Sequence, residues 1–138
     1  MKIAIWAPAL AVAALATISS SLPAAAACEK YVLPSSWSLK QGNGYALTMK
    51  TKVSKTGKVT GTASYHTGDD FHIVIGEINK GTFDGHHVEF RVDWSGGSRG
   101  DYQATVRDSD QKLKGTTHDL KGGPTVNFTS VQALKCKV

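Results

Sequence analysis

From Ser36 to Cys136 apolar side chains recur at every second position, in short runs broken by Gly, Asn, Asp or Ser. In an extended chain successive side chains point to opposite faces, so this period of two marks strands with one face toward a core and one toward water. Eight runs carry it. Run 36–41 aligns Trp37, Leu39 and Gln41; run 45–53 aligns Tyr45, Leu47, Met49, Thr51 and Val53 against Lys50 and Lys52. Run 58–66 aligns Val59, Gly61, Ala63 and Tyr65. Run 71–79 is apolar on both faces around Ile73-Val74-Ile75, which predicts a cover on its outer side as well. Run 87–94 sets Val88, Phe90, Val92 and Trp94 against His87, Glu89, Arg91 and Asp93. Run 100–107 aligns Tyr102, Ala104 and Val106, and run 111–118 aligns Leu113, Gly115 and Thr117. Run 125–136 carries Val126 and Phe128 and changes face before Val131. No helical period of useful length interrupts them, so the predicted class is all-β.

Connections of about three to eight residues suit an eight-stranded antiparallel up-and-down meander. Closing it into a barrel removes the two exposed edges that a flat meander would leave. A two-sheet sandwich would need a long crossover, and the sequence offers none. Gly61 and Gly115 fall mid-strand on the inward face, where they predict a sharply coiled sheet or room for a ring such as Trp37 or Tyr65.

Residues 1–27 differ from the rest: 20 of them are apolar and eleven are alanine, against 36 apolar residues among 28–138. Met1-Lys2, the apolar stretch to Leu22 and the small-residue zone Pro23–Ala27 read as a signal peptide, leaving residues 28–138 as a single β-barrel domain. No later run is long enough to cross a membrane as a helix. The expected location is secreted or periplasmic. An oxidising compartment would join Cys28 to Cys136; the competing reading makes Cys28 the lipidated first residue of a lipoprotein. The formal charge of +5 is spread along the sequence. Lys50, Lys52, Lys55 and Lys58 read as the wet face of a hairpin without interleaved aromatics, and no nucleic acid partner is expected.

Trp37, Val59-Thr60-Gly61-Thr62, Phe90-Arg91-Val92-Asp93-Trp94 and Lys112-Leu113-Lys114-Gly115-Thr116 make the chain resemble avidins, the eight-stranded biotin binders, and more loosely lipocalins. The resemblance implies an avidin-like barrel, with Trp94 ending the fifth strand and Ser95 and Ser98 in the loop after it. It also implies association through barrel sides, for which Ile73-Val74-Ile75 is a candidate strip; the oligomeric state stays open. The polar ring for the biotin ureido group is not reproduced. Leu39, Ala63, Thr117 and Phe128 stand where that family has asparagine, tyrosine and two tryptophans, so biotin is not the expected ligand.

A meander alternates its connections between two ends, and eight of the 14 glycines fall at one of them: Gly42, Gly44, Gly68, Gly96, Gly97, Gly100, Gly122 and Gly123. Glycine-rich polar loops over aromatic strand ends suit a binding mouth. The residues expected to line it are Gln41, Asn43, Tyr45, Tyr65, Trp94, Ser98, Tyr102 and Phe128. The same aromatics would serve a solid core equally well. The function expected is non-enzymatic binding of a small molecule or glycan at this mouth. The alternative is a module whose charged loops, with Arg99, Asp69, Asp70 and Lys121, engage a protein such as a foreign hydrolase. Neither His66, Asp69, Asp70 and His72 nor Asp84, His86 and His87 has a metal-ligand spacing, and no nucleophile or inward carboxylate pair stands out. No catalytic residue, metal or cofactor is expected.

Overall fold

The computed structural model describes residues 27–68 and 72–138. The leader 1–26, together with Asp69, Asp70 and Phe71, lies outside the described residues. Ten strands follow in order: β1 (Tyr31–Val32), β2 (Ser36–Gln41), β3 (Ala46–Val53), β4 (Lys58–His66), β5 (Ile73–Phe83), β6 (His87–Trp94), β7 (Arg99–Arg107), β8 (Lys112–Asp119), β9 (Val126–Ser130) and β10 (Lys135–Cys136). Strands β2 to β9 pair with their sequence neighbours and close as an antiparallel barrel through β2 and β9. Among the described residues no helix is long and apolar enough to cross a membrane.

Alternation does what the sequence demands of it. Trp37, Leu39, Leu47, Met49, Val59, Val88, Val92, Leu113 and Phe128 point inward and are almost completely buried. The core rings form a chain: Trp37 meets Phe90 edge-on at 6.3 Å, Phe90 stacks on Tyr102 at 4.9 Å, and Tyr102 tilts against Phe128 at 5.7 Å. Such pairs add about 0.5–1.5 kcal/mol each beyond burial.

Three expectations need correction. β5 continues past Asn79, where the run read from sequence ended, through Lys80–Phe83; the register shifts between Asn79 and Thr82, and Lys80 takes a φ of 49°, so a bulge absorbs the turn-like Lys80 and Gly81 without ending the strand. Among the described residues nothing covers the outer side of Ile73 and Ile75: both are more than half exposed. The final run is two strands: β9 stops at Ser130, and the chain bends through 131–134 into β10, which pairs with β1 apart from the barrel.

That small β1–β10 sheet carries the Cys28–Cys136 disulfide, with Cα atoms 5.6 Å apart. The bridge therefore sits on a sheet of its own rather than on the β2–β9 seam. The Tyr31 N–H donates to Gly85 O, the Tyr31 hydroxyl to Asp108, and the Leu134 N–H to Gln111 O. These partners are the turns opposite the glycine-rich end. With Tyr31, Leu33 and Leu134 buried there, one end of the barrel is plugged, and among the described residues no comparable plug fills the other, the open end.

Candidate functional site

The open end is built by tight hairpins. At β2–β3 the Gly44 N–H donates to Gln41 O and the Gln41 N–H to Tyr45 O; at β6–β7 the Gly97 N–H donates to Trp94 O and the Trp94 N–H to Ser98 O. Gly44 and Gly97 take φ values of 93° and 88°, which only glycine adopts without steric cost, so each hairpin returns within three residues. Gln41 is thereby set beside Tyr45, and Trp94 beside Ser98.

Between these hairpins lies a cavity of about 240 Å³, lined by Gln41, Asn43, Tyr45, Leu47, Tyr65, Trp94, Ser98, Arg99, Gly100, Tyr102, Thr117, Asp119, Gly123, Pro124 and Val126. Seven of the eight residues expected from sequence line it. Phe128 does not: it is buried behind the floor against Tyr102, because its strand has already descended into the core. Leu47 and Thr117 were aligned by the same period of two that marked Tyr45 and Tyr102; Asp119 continues that period one step past the run read from sequence, because β8 extends to it. Pro124 and Val126 enter through the path of the β8–β9 loop, which no periodicity specifies.

One wall is an aromatic ladder. Tyr65 stands edge-to-face with Tyr45 at 5.3 Å and with Trp94 at 5.0 Å. Trp94 is seated over Gly76, where a Cβ would come within 2.7 Å of its ring. None of the Tyr45 and Tyr65 hydroxyls, the Trp94 indole N–H and the Ser98 hydroxyl forms a hydrogen bond within the described residues. The floor is polar but satisfied: Gln41 Nε2 donates to the Tyr102 hydroxyl at 3.1 Å, which also hydrogen-bonds Thr117. Burial pushes the Tyr102 phenol up, against the pull of those two hydrogen bonds. Burial, with Tyr45 nearby, does the same to Tyr65. Both are neutral phenols around pH 7, not phenolates.

The charged rim is largely tied to the protein. Arg99 Nε lies 3.1 Å from Asp93 Oδ1, in ionic contact without hydrogen-bond alignment, and Asn79 donates to the other oxygen of Asp93. Asp119 accepts the Lys121 backbone N–H. A second depression, about 430 Å³, lies on the outer wall over β6–β8, but its Arg91 and Asp101 already form a two-bond ion pair.

No three His, Cys, Asp or Glu side chains among the described residues are grouped to hold a metal, and Asp69 and Asp70 of the His66 group lie outside those residues. Asp84 caps a turn, accepting the backbone N–H groups of His86 and His87, which hold its carboxyl below the usual range. No protein-family model matches this chain, and no curated protein or solved structure is significantly similar to it.

Proposed function

We propose that this chain is an exported barrel that binds a neutral, hydroxyl-rich ring compound, a sugar or similar small molecule, at its open mouth and does no chemistry on it. The observation that carries this reading is the Tyr45–Tyr65–Trp94 ladder beside a cavity of about 240 Å³, the ladder's hydroxyls and indole N–H having no hydrogen-bond partner among the described residues. Aromatic faces offer stacking area to a ring, and their N–H and O–H groups offer hydrogen bonds around its edge. The absence of catalysis is supported by the lining itself, in which Asp119 is the sole carboxylate among the described residues; glycosidic chemistry needs a pair. Export is supported by the disulfide.

The cavity is smaller than the ~300–1,000 Å³ of drug-sized sites, so it suits one ring. A dozen heavy atoms at about −0.3 kcal/mol each give about −4 kcal/mol, a Kd near 1 mM. A thermal-shift screen of mono- and disaccharides and small heterocycles therefore has to reach about 10 mM, where a true ligand adds about 1.4 kcal/mol of stability. Stabilisation by at least one such compound, lost in Trp94→Ala, is the expected result. Failure of every compound to stabilise the wild type would remove the basis for the reading.

Loop-mediated protein binding is a second reading, favoured by Leu120 and Tyr45, both exposed at the rim. It predicts that Leu120→Ser abolishes partner binding while Trp94→Ala spares it.

A further inference from the structure

The lysines that are scattered in sequence converge in space. β8, β9, β2, β3 and β4 are consecutive around the barrel. Their outward positions carry Lys112, Lys114, Lys40, Lys50, Lys52 and Lys58. The other outward side chains of these five strands are Ser and Thr hydroxyls, one Asn, one Ala and two His, with no carboxylate among them. The outward carboxylates of the barrel strands, Glu77, Glu89, Asp93 and Asp101, all stand on β5, β6 and β7. No lysine of the wall takes part in an ion pair among the described residues.

Register fixes the spacing. Thr129 lies opposite both Lys114 and Lys40, so these two lysines are separated by two strand spacings, about 10 Å. Lys50 and Lys52 follow each other on one face about 7 Å apart. The result is a grid of cations, none in an ion pair among the described residues, interleaved with hydroxyls over more than half the circumference.

We infer that this wall is a docking surface for an acidic polysaccharide, a flexible chain bearing repeated carboxylate or sulfate groups. Charge complementarity requires a polyanion, since releasing its counterions rewards each neutralised charge. Curvature selects among polyanions. A flat bilayer and a duplex that stays straight over about 50 nm can each touch a convex wall only along a narrow strip, whereas a flexible chain can follow it. Surface chemistry agrees: the outward positions present no Phe, Tyr or Trp ring for base stacking and no large apolar side chain for bilayer insertion, but their hydroxyls can bond sugar hydroxyls. This surface is separate from the mouth cavity and does not depend on it.

The test compares retention on immobilised heparin and immobilised polygalacturonate, across a NaCl series, for the wild type and two charge-matched variants. The wall variant is K40Q/K50Q/K52Q/K114Q; the off-wall variant is K80Q/K121Q/K135Q/K137Q. All eight side chains are exposed, and near-UV circular dichroism checks that both variants keep the fold. The proposal expects salt-sensitive retention of the wild type on at least one matrix. It also expects at least a tenfold weaker Kd with a shallower salt slope for the wall variant, and less than a threefold change for the off-wall variant. No wild-type retention on either matrix would overturn it. So would equal losses in the two variants, or wild-type binding to phosphatidylglycerol vesicles or duplex DNA as tight as to the polysaccharides.

Discussion

Inside the barrel the Trp37 indole N–H donates to Thr51 Oγ1 at 3.1 Å, and that hydroxyl donates on to Pro34 O at 2.8 Å. Both side chains are buried, so Thr51→Val, which keeps the shape and deletes the hydroxyl, strands the indole N–H and the Pro34 carbonyl. It should cost about 1–3 kcal/mol in urea unfolding, and Thr51→Ser should restore most of it. Gly115 is constrained by a neighbour rather than by its own conformation: a Cβ there would stand 1.8 Å from Gln103 O and 2.5 Å from Ala104 Cα. Gly115→Ala should therefore destabilise by about 2–4 kcal/mol, read as a lower urea midpoint at unchanged m-value. Of the two roles expected for the inward glycines, close coiling of strands is the one found; neither Trp37 nor Tyr65 occupies the space at Gly61 or Gly115. At the surface, the ion pair with Arg107 holds the Asp110 carboxyl down at about 2 from its ordinary 3.8. A lowered carboxylate favours folding above its ordinary range, and that contribution fades as pH falls through about 2. A carboxyl NMR titration should find the Asp110 midpoint near 2; a midpoint near 3.8 would mean that the pair does not persist. Which side chains point inward was legible from alternation alone, whereas the Trp37–Thr51 bond was not, because it joins two strands whose register no local pattern states.

At the scale of elements, the barrel strands were readable where burial on one face forces a period of two. β1 and β10 were missed because two residues are too few to show a period. Gly81 hid the end of β5 by imitating a turn. The join of β2 and β9 depends on side chains as well as backbone. Only Leu39, Lys40 and Gln41 of β2 pair with β9. Beyond Ser130 the Val131 N–H still donates to Ser38 O, while the Ser130 hydroxyl accepts the Leu113 N–H and Gln132 Oε1 accepts the Ser38 N–H, so side chains carry both ladders on where the backbone pairing ends. The disulfide at the plugged end holds segments 108 residues apart. Cys28→Ser with Cys136→Ser should lower stability by about 2–5 kcal/mol, measured by thermal unfolding. The far-UV spectrum should be retained, since the eight strands close without the bridge. Loss of the β-spectrum at 20 °C would show that the plug is needed for closure itself.

The whole molecule has a plugged end, an open end, a lysine wall and an acid-bearing wall. The larger share of glycines at one end was legible in sequence, but positive φ does not separate the ends: Gly57 and Gly85 turn the chain at the plugged end as Gly44, Gly97 and Gly122 do at the other. The charge asymmetry was illegible in the sequence: Lys40 and Lys114 are 74 positions apart and meet only when the barrel closes across Thr129. The size of the mouth cavity was equally hidden, since it depends on how far Trp94 leans over Gly76 and how deep Phe128 sinks. The claim that this cavity is a ligand site is tested most directly by two-dimensional ¹H–¹⁵N NMR of the tryptophan indole groups during titration with a compound from the stabilising set. The account predicts a saturable shift of the Trp94 indole resonance, with Trp37, sealed in the core, unmoved and the response abolished by Tyr65→Ala. A Trp94 resonance that stays fixed while the compound still stabilises the protein would contradict it.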